Sequence, residues 1–143
     1  MPTDRFSNVE PTRSRNMASI SSKDTKPEMI VRRIVRRLGY SGYRLHRKDL
    51  PGKPDLAFIG RRKAVFVHGC FWHQHSNPLC KRSHVPQSRL EYWEPKLIRN
   101  RERDRKNIES LETRGWRILT VWECQTKDLN SLSEKLLKFL SDQ

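Results

Sequence analysis

Residues 63–75, Lys-Ala-Val-Phe-Val-His-Gly-Cys-Phe-Trp-His-Gln-His, decide how this chain folds. The apolar, β-prone run at 64–67 predicts a buried strand over 63–68. From position 68 to position 75 the chain places three imidazoles, a thiol and two large aromatics, a mixture that an ordinary core does not need. Imidazole and thiolate bind zinc or move protons near neutral pH, and neighbouring aromatics can stack on flat bases. The strand therefore ends in a segment that carries chemistry.

The composition points to a polyanionic partner. The chain has 143 residues and a formal net charge of +14, and basic surfaces bind nucleic acid phosphates with a strong dependence on salt. No apolar run approaches the roughly 18 residues of a spanning helix, and residues 1–24 lack the apolar centre of a signal peptide. Three cysteines, an odd number, favour metal or free thiols over a disulfide framework. We therefore expect a cytoplasmic protein without a membrane partner.

Helices and strands alternate outward from this stretch. Thr25-Lys26-Pro27-Glu28 is a capping box that predicts a helix over 26–38. A tight hairpin centred on Arg61-Arg62 would pair positions whose numbers sum to about 123, which places Asp55 opposite His68. The order predicts an α/β fold with a small mixed sheet flanked by helices. The remaining elements are predicted as strands at 43–46, 55–59 and 116–122, a charged helix at 94–114, and a helix at 130–141 with the apolar stripe Leu132, Leu136, Leu137 and Leu140.

Residues 1–22 are predicted to form a basic arm ahead of one domain over 23–143. They are rich in Ser, Thr, Asn and Arg and show little periodicity, which is typical of a segment that orders on its partner. Arg13, Arg15 and Met17 would give such an arm its contacts in a DNA groove. A plain disordered tail is the alternative.

Asp55 is the predicted ligand of a magnesium ion. It stands at the entrance of one strand, close to the end of the strand that carries His68. Mg²⁺ prefers hard oxygen ligands, which Asp55 and the main-chain carbonyl of Val67 would supply together with water and phosphate. Pro-Asp is also a common turn dipeptide, so a structural turn is the alternative.

The helix at 94–114 carries two polar residues on its apolar stripe. Asn100 and Asp104 fall at helical spacing between Leu97 and Ile108. Because an unpaired buried carboxylate is costly, Asp104 needs a partner, and pairing with His73 would raise the basicity of that imidazole. An ion pair with an arginine of the same helix is the alternative. Glu28 heads the inward stripe of the first helix, although it could serve only the capping box.

The cysteines predict a structural zinc site. Cys70, His75 and Cys80 are spaced five residues apart, and Cys124 closes a later strand. Three cysteines and one histidine form a recognised closed zinc set that leaves no open catalytic position. His84 could replace Cys80, and three unrelated buried thiols are the other alternative.

Phe71, Trp72 and Trp93 are candidate base-contacting aromatics. Aromatic residues are usually part of the core, but Phe71 and Trp72 lie on a loop between a candidate zinc ligand and a histidine. Rings inserted between base pairs would test how easily a lesion deforms.

Several longer motifs lie in order along the chain. They include Leu-Pro-Gly-Lys-Pro-Asp at 50–55, Phe-Val-His-Gly-Cys-Phe-Trp-His at 66–73 and Trp-Glu-Cys at 122–124. Thr-Arg-Ser-Arg-Asn-Met at 12–17 and Asn-Arg-Glu-Arg-Asp-Arg at 100–105 belong to the same set. Together these motifs resemble the very short patch repair (Vsr) family of DNA mismatch endonucleases. Val67 stands where the family often has threonine, so any role at this position must come from its carbonyl. The residues between His75 and Cys80 also differ from the family pattern, so His84 stays the alternative to Cys80 as zinc ligand.

The resemblance implies a restriction-endonuclease-like core, a structural zinc and a Mg²⁺-dependent nick 5′ of the thymine in a T:G mismatch left by deamination of 5-methylcytosine. The substrate would be double-stranded DNA, mismatch-repair proteins would be partners, and a monomer is the simplest expectation. The protein would be bacterial and associated with the nucleoid. The residue roles that the resemblance implies are Asp55 as magnesium ligand, His73 as general base oriented by Asp104, His68 as second catalytic histidine, Glu28 and Asn100 as supporting groups, Phe71, Trp72 and Trp93 as intercalating rings, and Met17 as a minor-groove contact. A restriction-type nuclease of the same fold and a zinc-stabilised DNA-binding module without catalysis are the alternatives.

Overall fold

The computed structural model describes residues 25–75, 80 and 89–142. The predicted arm, with Arg13, Arg15 and Met17, lies outside the described residues, as does His84. Across the described residues no helix has both the length and the apolar character needed to cross a membrane.

A four-stranded mixed sheet forms the centre of the fold, with its strands in the order β1, β2, β3, β4. Strand β2 is antiparallel to both of its neighbours, β1 and β3, whereas β3 and β4 are parallel. Parallel neighbours need a crossover connection, which here contains the long charged helix. The mixed sheet predicted from the sequence is confirmed. The strands are β1 at Arg44–Leu45, β2 at Leu56–Phe58, β3 at Lys63–His68 and β4 at Arg117–Trp122.

Among the described residues, three α-helices cover both faces of the sheet. They are α1 at Lys26–Arg37, α2 at Leu90–Thr113 and α3 at Leu129–Ser141. Successive strand residues point to opposite faces, so Val65 packs with α1 and α3 while Phe66 packs against the α2 side. Both faces of β2 and β3 are therefore buried, and the ends of these strands are held rigidly where the candidate catalytic residues begin.

The connection between β2 and β3 differs from the predicted hairpin. Ile59–Arg61 form a 3₁₀ turn, and Arg62 follows in the left-handed region with φ 56°. This longer connection pairs Phe58 with Lys63, two residues away from the predicted register. The prediction that Asp55 lies opposite His68 is therefore wrong. The prediction assumed a two-residue turn between the strands, whereas the chain forms the longer connection that ends with Arg62 in the left-handed conformation.

Helix α2 begins at Leu90, four residues before its predicted start, and contains Pro95. Proline removes one backbone hydrogen bond from a helix interior. The extra turn brings Trp93 into contact with Phe71 and Trp72, where it is only 7% exposed. Burial of so large a ring outweighs the missing bond.

Helix α3 follows its prediction with one exception. Leu132, Leu136 and Leu140 are buried, but Leu137 is 44% exposed, so its assignment to the apolar stripe is wrong.

Lys63 of β3 holds the C-terminal end of this helix, because its ammonium donates to the carbonyls of Phe139 and Leu140 at 2.7 and 3.0 Å. A buried ammonium that caps a helix C-terminus satisfies both its own charge and the last carbonyls.

Candidate active site

The loop before β2 positions Asp55. Gly52 has φ +78°, and a Cβ atom there would lie 3.0 Å from Asn107 Cβ and 3.1 Å from Phe66 Cε1. Only glycine fits this turn without strain, since it tolerates positive φ and allows the loop to approach α2 closely. Pro54 is fully buried behind the turn. The chain therefore enters β2 with a fixed direction at Asp55.

The two carboxylate oxygens of Asp55 have different surroundings. Oδ2 accepts a 2.6 Å hydrogen bond from the backbone N–H of Val67, and Oδ1 lies 3.8 Å from His46 Nε2. Burial raises the pKa of Asp55 to about 7, and the nearby charge of Glu28 adds to this effect. A buried carboxylate whose charged form is disfavoured in this way is typical of a functional site and gains much from a bound cation.

Glu28 is the most deeply buried acid of the described residues, at 1% exposure. Its backbone N–H donates to Thr25 Oγ1 at 3.4 Å, as the capping box predicts. Its carboxylate contacts Arg32 and lies 2.7 Å from His46 Nε2. Glu28 therefore does more than close a capping box, because its side chain faces the group around Asp55.

His68, His73 and Asp104 form a second group at the end of β3. The rings of His68 and His73 stack in parallel, 3.8 Å apart, and His73 Nδ1 contacts Asp104 Oδ2. The predicted His73–Asp104 pair is thus present. Because Nδ1 faces the carboxylate, Nε2 is the nitrogen left to take a proton. His68 is 7% exposed, and burial, followed by the charge of His73, lowers its pKa to about 3. It is therefore neutral near pH 7.

Asn100 links α2 to the aromatic loop. Its side-chain amide donates to the carbonyl of Trp72 at 3.1 Å, and its oxygen accepts from Arg103 at 2.8 Å. A fixed Trp72 carbonyl also fixes the next residue, His73. Asn100 and Asp104, one turn apart on the same helix, therefore hold the main chain and the ring of one loop segment.

Cys70, His75, Cys80 and Cys124 converge on one point. Their ligand atoms all lie within 4.8 Å of one another. His75 Nδ1 lies 3.4 Å from Cys124 Sγ and 3.8 Å from Cys70 Sγ, close to the spacing of about 3.5 Å that tetrahedral zinc imposes on nitrogen and sulfur ligands. Burial raises the pKa of the Cys70 thiol to about 12, and a metal would have to displace its proton. The four residues can therefore hold a metal ion.

The three predicted base-contacting aromatics pack against one another. Edge-to-face contacts join Phe71, Trp72 and Trp93, with ring centroids 5.2 to 5.5 Å apart. Phe71 and Trp72 are partly exposed, and Trp93 lies beneath them. The first two rings therefore form the accessible surface of the cluster.

Two residues of this region were missed in the sequence. His46 lies opposite Asp55 because Leu45 pairs with Leu56, so extending the predicted strand at 43–46 into a pairing with the next strand would have found it. Trp122 lies between the two histidine groups: it stacks on His75 at 4.3 Å and meets His68 edge-on at 5.3 Å. Its position at the end of the predicted strand at 116–122 was the available signal in the sequence.

Comparison with known proteins gives consistent matches. The model of the family described as DNA mismatch endonuclease Vsr matches residues 3–79. The Type II nicking enzyme V.XorIIP of Xanthomonas oryzae pv. oryzae is 47% identical over 96% of this chain and 97% of its own length. The DNA mismatch endonuclease Vsr of Escherichia coli is 40% identical over 88% of this chain and 78% of its own. The Type II nicking enzyme V.NmeAIP of Neisseria meningitidis is 39% identical over 91% of this chain and 90% of its own.

Proposed function

Because this chain belongs to the Vsr family of DNA mismatch endonucleases, we propose that it nicks duplex DNA 5′ of the thymine in a T:G mismatch. Such a mismatch arises when 5-methylcytosine is deaminated, and the nick would initiate very short patch repair. The proposal rests on the pairing of His73 with Asp104 beside His68. This group lies at the end of β3, where the backbone N–H of Val67 donates a hydrogen bond to Asp55. A proton acceptor and a cation-binding carboxylate are the two groups that hydrolysis of a phosphodiester needs.

His73 is the general base of the proposal. Contact of Nδ1 with Asp104 leaves Nε2 to take a proton from the attacking water, whose oxygen bonds to phosphorus as one P–O bond of the strand breaks. Asp104 keeps the ring in this tautomer and stabilises the cation that forms. His68, neutral and stacked on His73, restricts the rotation of that ring. Its ring would offer a hydrogen-bonding nitrogen to the phosphate.

Asp55 and the main-chain carbonyl of Val67 would hold a magnesium ion. In an extended strand the N–H and C=O of one residue point to the same side, and the Val67 N–H already donates to Asp55. The buried Nε2 of His46, which forms no hydrogen bond of good geometry among the described residues, supports a cation in the pocket beside Asp55. The bound ion would polarise the scissile phosphate and stabilise the charge that develops there. Glu28 supports Asp55 from the other side of the pocket.

The cysteine group is proposed to bind zinc in a structural role. Four protein ligands, Cys70, His75, Cys80 and Cys124, complete a closed tetrahedron. The ion would join the loop after β3 to the end of β4. It would thereby hold Phe71, Trp72 and His73 in place, which lie between two of the ligands along the chain.

Phe71 and Trp72, supported by Trp93, are proposed to insert beside the mismatch. A T:G pair unstacks more easily than a matched pair, so inserted rings select it by the lower cost of deformation. Arg13 and Arg15 of the proposed arm, residues 1–22, would neutralise phosphates, and Met17 would enter the minor groove.

We further propose that residues 23–143 form one domain with a restriction-endonuclease-like core. The protein would act as a monomer, with mismatch-repair proteins as its partners.

Cleavage of end-labelled duplexes that differ at one base pair tests the proposal. Each duplex carries T:G, T:A or C:G at the same position, and the products are mapped on both strands in the presence of Mg²⁺. We expect a single nick in the thymine strand of the T:G duplex, with matched duplex failing to compete. Cuts in both strands of matched DNA would establish a restriction-type nuclease, and binding without any cut would establish a DNA-binding module.

A further inference from the structure

We infer that His46 is a direct ligand of the divalent metal ion that Asp55 binds, and that Glu28 shares the same ion. This inference rests on the proposed metal-dependent nuclease function and deepens it. It changes the proposed site from one of oxygen ligands alone to a mixed site of one imidazole nitrogen and two carboxylates. Glu28 then acts as a ligand instead of a supporting group.

The three side chains come from three separate elements and meet at one point. Glu28 lies on α1, His46 follows β1 and Asp55 precedes β2, yet their ligand atoms all lie within 4.8 Å of one another. His46 Nε2 is 2.7 Å from Glu28 Oε2 and 3.8 Å from Asp55 Oδ1. Two ligands at right angles on an ion of this size are about 3 Å apart. The observed distances lie on either side of that value, so small side-chain movements suffice to bind an ion.

The direction of the imidazole supports a metal more than a hydrogen bond. Nε2 is buried and close to Glu28, but among the described residues it has no partner at hydrogen-bonding geometry. The distance of 2.7 Å to Glu28 is short enough for a hydrogen bond, so it is the angle at the nitrogen that does not fit one. An ion shared by the nitrogen and the two carboxylates gives Nε2 the partner that the side chains alone do not supply.

The backbone holds the ring in this position. His46 has φ 48°, in the left-handed region, and its N–H lies 3.4 Å from the carbonyl of Asp55 to which it donates. Histidine and asparagine tolerate this conformation better than most residues. The strand pairing thus fixes the distance between positions 46 and 55 before any ion binds.

The charges of the group also favour a cation. The buried carboxylate of Glu28 lies close to the partly buried carboxylate of Asp55, and this proximity helps to raise the pKa of Asp55. Arg32 contacts Glu28 from the side of α1. A divalent ion between the two acids would stabilise both in their charged forms. Because an imidazole ligand suits transition metals better than magnesium, we expect Mn²⁺ to bind more tightly than Mg²⁺.

Mn²⁺ binding to the zinc-loaded full chain tests the inference independently of nicking. Titration followed by electron paramagnetic resonance gives the Kd, and electron spin echo modulation detects a ¹⁴N nucleus bonded to the ion. We expect ¹⁴N coupling in the wild type, its loss in His46→Asn, and at least about tenfold weaker Mn²⁺ binding in that variant. Asparagine is the matched replacement, because it accepts the positive φ but is too short to reach the ion.

The other histidines of the site supply the control. A double variant, His68→Asn with His73→Asn, removes nicking but should keep the ¹⁴N coupling if His46 is its source. His46→Gln serves as a second variant should His46→Asn fail to fold. Loss of coupling in the double variant, or unchanged coupling and Kd in a folded His46 variant, would overturn the inference. In either case nicking of T:G duplex by the wild type would leave the proposed function standing, whereas a folded wild type that neither binds Mn²⁺ nor nicks would refute both.

Discussion

Replacing Asp55 with asparagine should abolish nicking and yet stabilise the metal-free protein. Asp55 is partly buried beside Glu28, and its pKa is raised from 3.8 to about 7, mainly by burial. Above pH 7 the folded protein therefore keeps the Asp55 carboxylate charged while it is largely removed from water, which costs free energy. The unfolded chain keeps the same charge in water without that cost. The Asp55→Asn substitution removes that charge, and the new amide oxygen can still accept the hydrogen bond from Val67.

The magnitude follows from the shift in pKa. Because the pKa of Asp55 is higher in the folded protein, its protonated form contributes stability. This contribution is fully present below the unfolded pKa of about 4 and is lost as the pH rises through the folded pKa of about 7. At about 1.4 kcal/mol per pKa unit, a shift of roughly three units corresponds to about 4 kcal/mol at pH 8. We expect Asp55→Asn to gain about 2–4 kcal/mol there, which for a chain of this size raises Tm by roughly 6–12 °C.

Thermal and urea unfolding of both proteins between pH 4 and pH 8 measures the difference. The samples are zinc-loaded and contain no added Mg²⁺. The buried, neutral His68 makes both proteins less stable as the pH falls below about 6.5, because its pKa is lowered to about 3. This contribution cancels in the comparison. Added Mg²⁺ should stabilise the wild type alone and so narrow the gap at pH 8. A variant that is less stable than the wild type at pH 8, or a gap that does not change with pH, would show that burial of the Asp55 charge is not what limits stability.

Three further substitutions test other parts of the molecule. Asp104→Asn should lower the single-turnover nicking rate by about 10²–10⁴-fold at unchanged duplex affinity, since the carboxylate acts through His73, whose ring it orients and whose cation it stabilises; an equal loss of affinity would argue for a role in binding. Cys124→Ser should reduce bound zinc from about one equivalent to almost none by elemental analysis, and full retention of zinc would remove Cys124 from the site. Lys63→Met should lower the free energy of unfolding by about 1–3 kcal/mol, because the last carbonyls of α3 lose their donor. An unchanged urea midpoint would show that the cap contributes nothing.

The elements that carry strong local signals could be predicted from the sequence. The capping box at Thr25 placed the start of α1, and the β-prone run at 63–68 placed β3 to the residue. The helical spacing of Asn100 and Asp104 put both on the inner side of α2, where Asn100 meets the aromatic loop and Asp104 meets His73. These features depend on neighbours a few positions apart, which a sequence displays directly.

Features that depend on backbone conformation or distant packing were predicted less well. The β2–β3 register is set by the left-handed Arg62, and no residue type at 59–62 demands that conformation. The start of α2 is set by burial of Trp93 against Phe71 and Trp72, which are distant in the chain. His46 was missed because it lies among basic residues and acquires its neighbours only through pairing of two short strands.

Asp55 and the His73–Asp104 pair are proposed to act together in cutting one strand at a T:G mismatch. A single-turnover assay of wild type and Asp55→Asn on one end-labelled T:G duplex with Mg²⁺ measures this directly, after both proteins are shown to be folded and to bind the duplex equally. We expect one nick, 5′ of the mismatched thymine, by the wild type and none by the variant. A nick of equal rate by Asp55→Asn, or no nick by the folded wild type, would show that these residues do not form the cutting site.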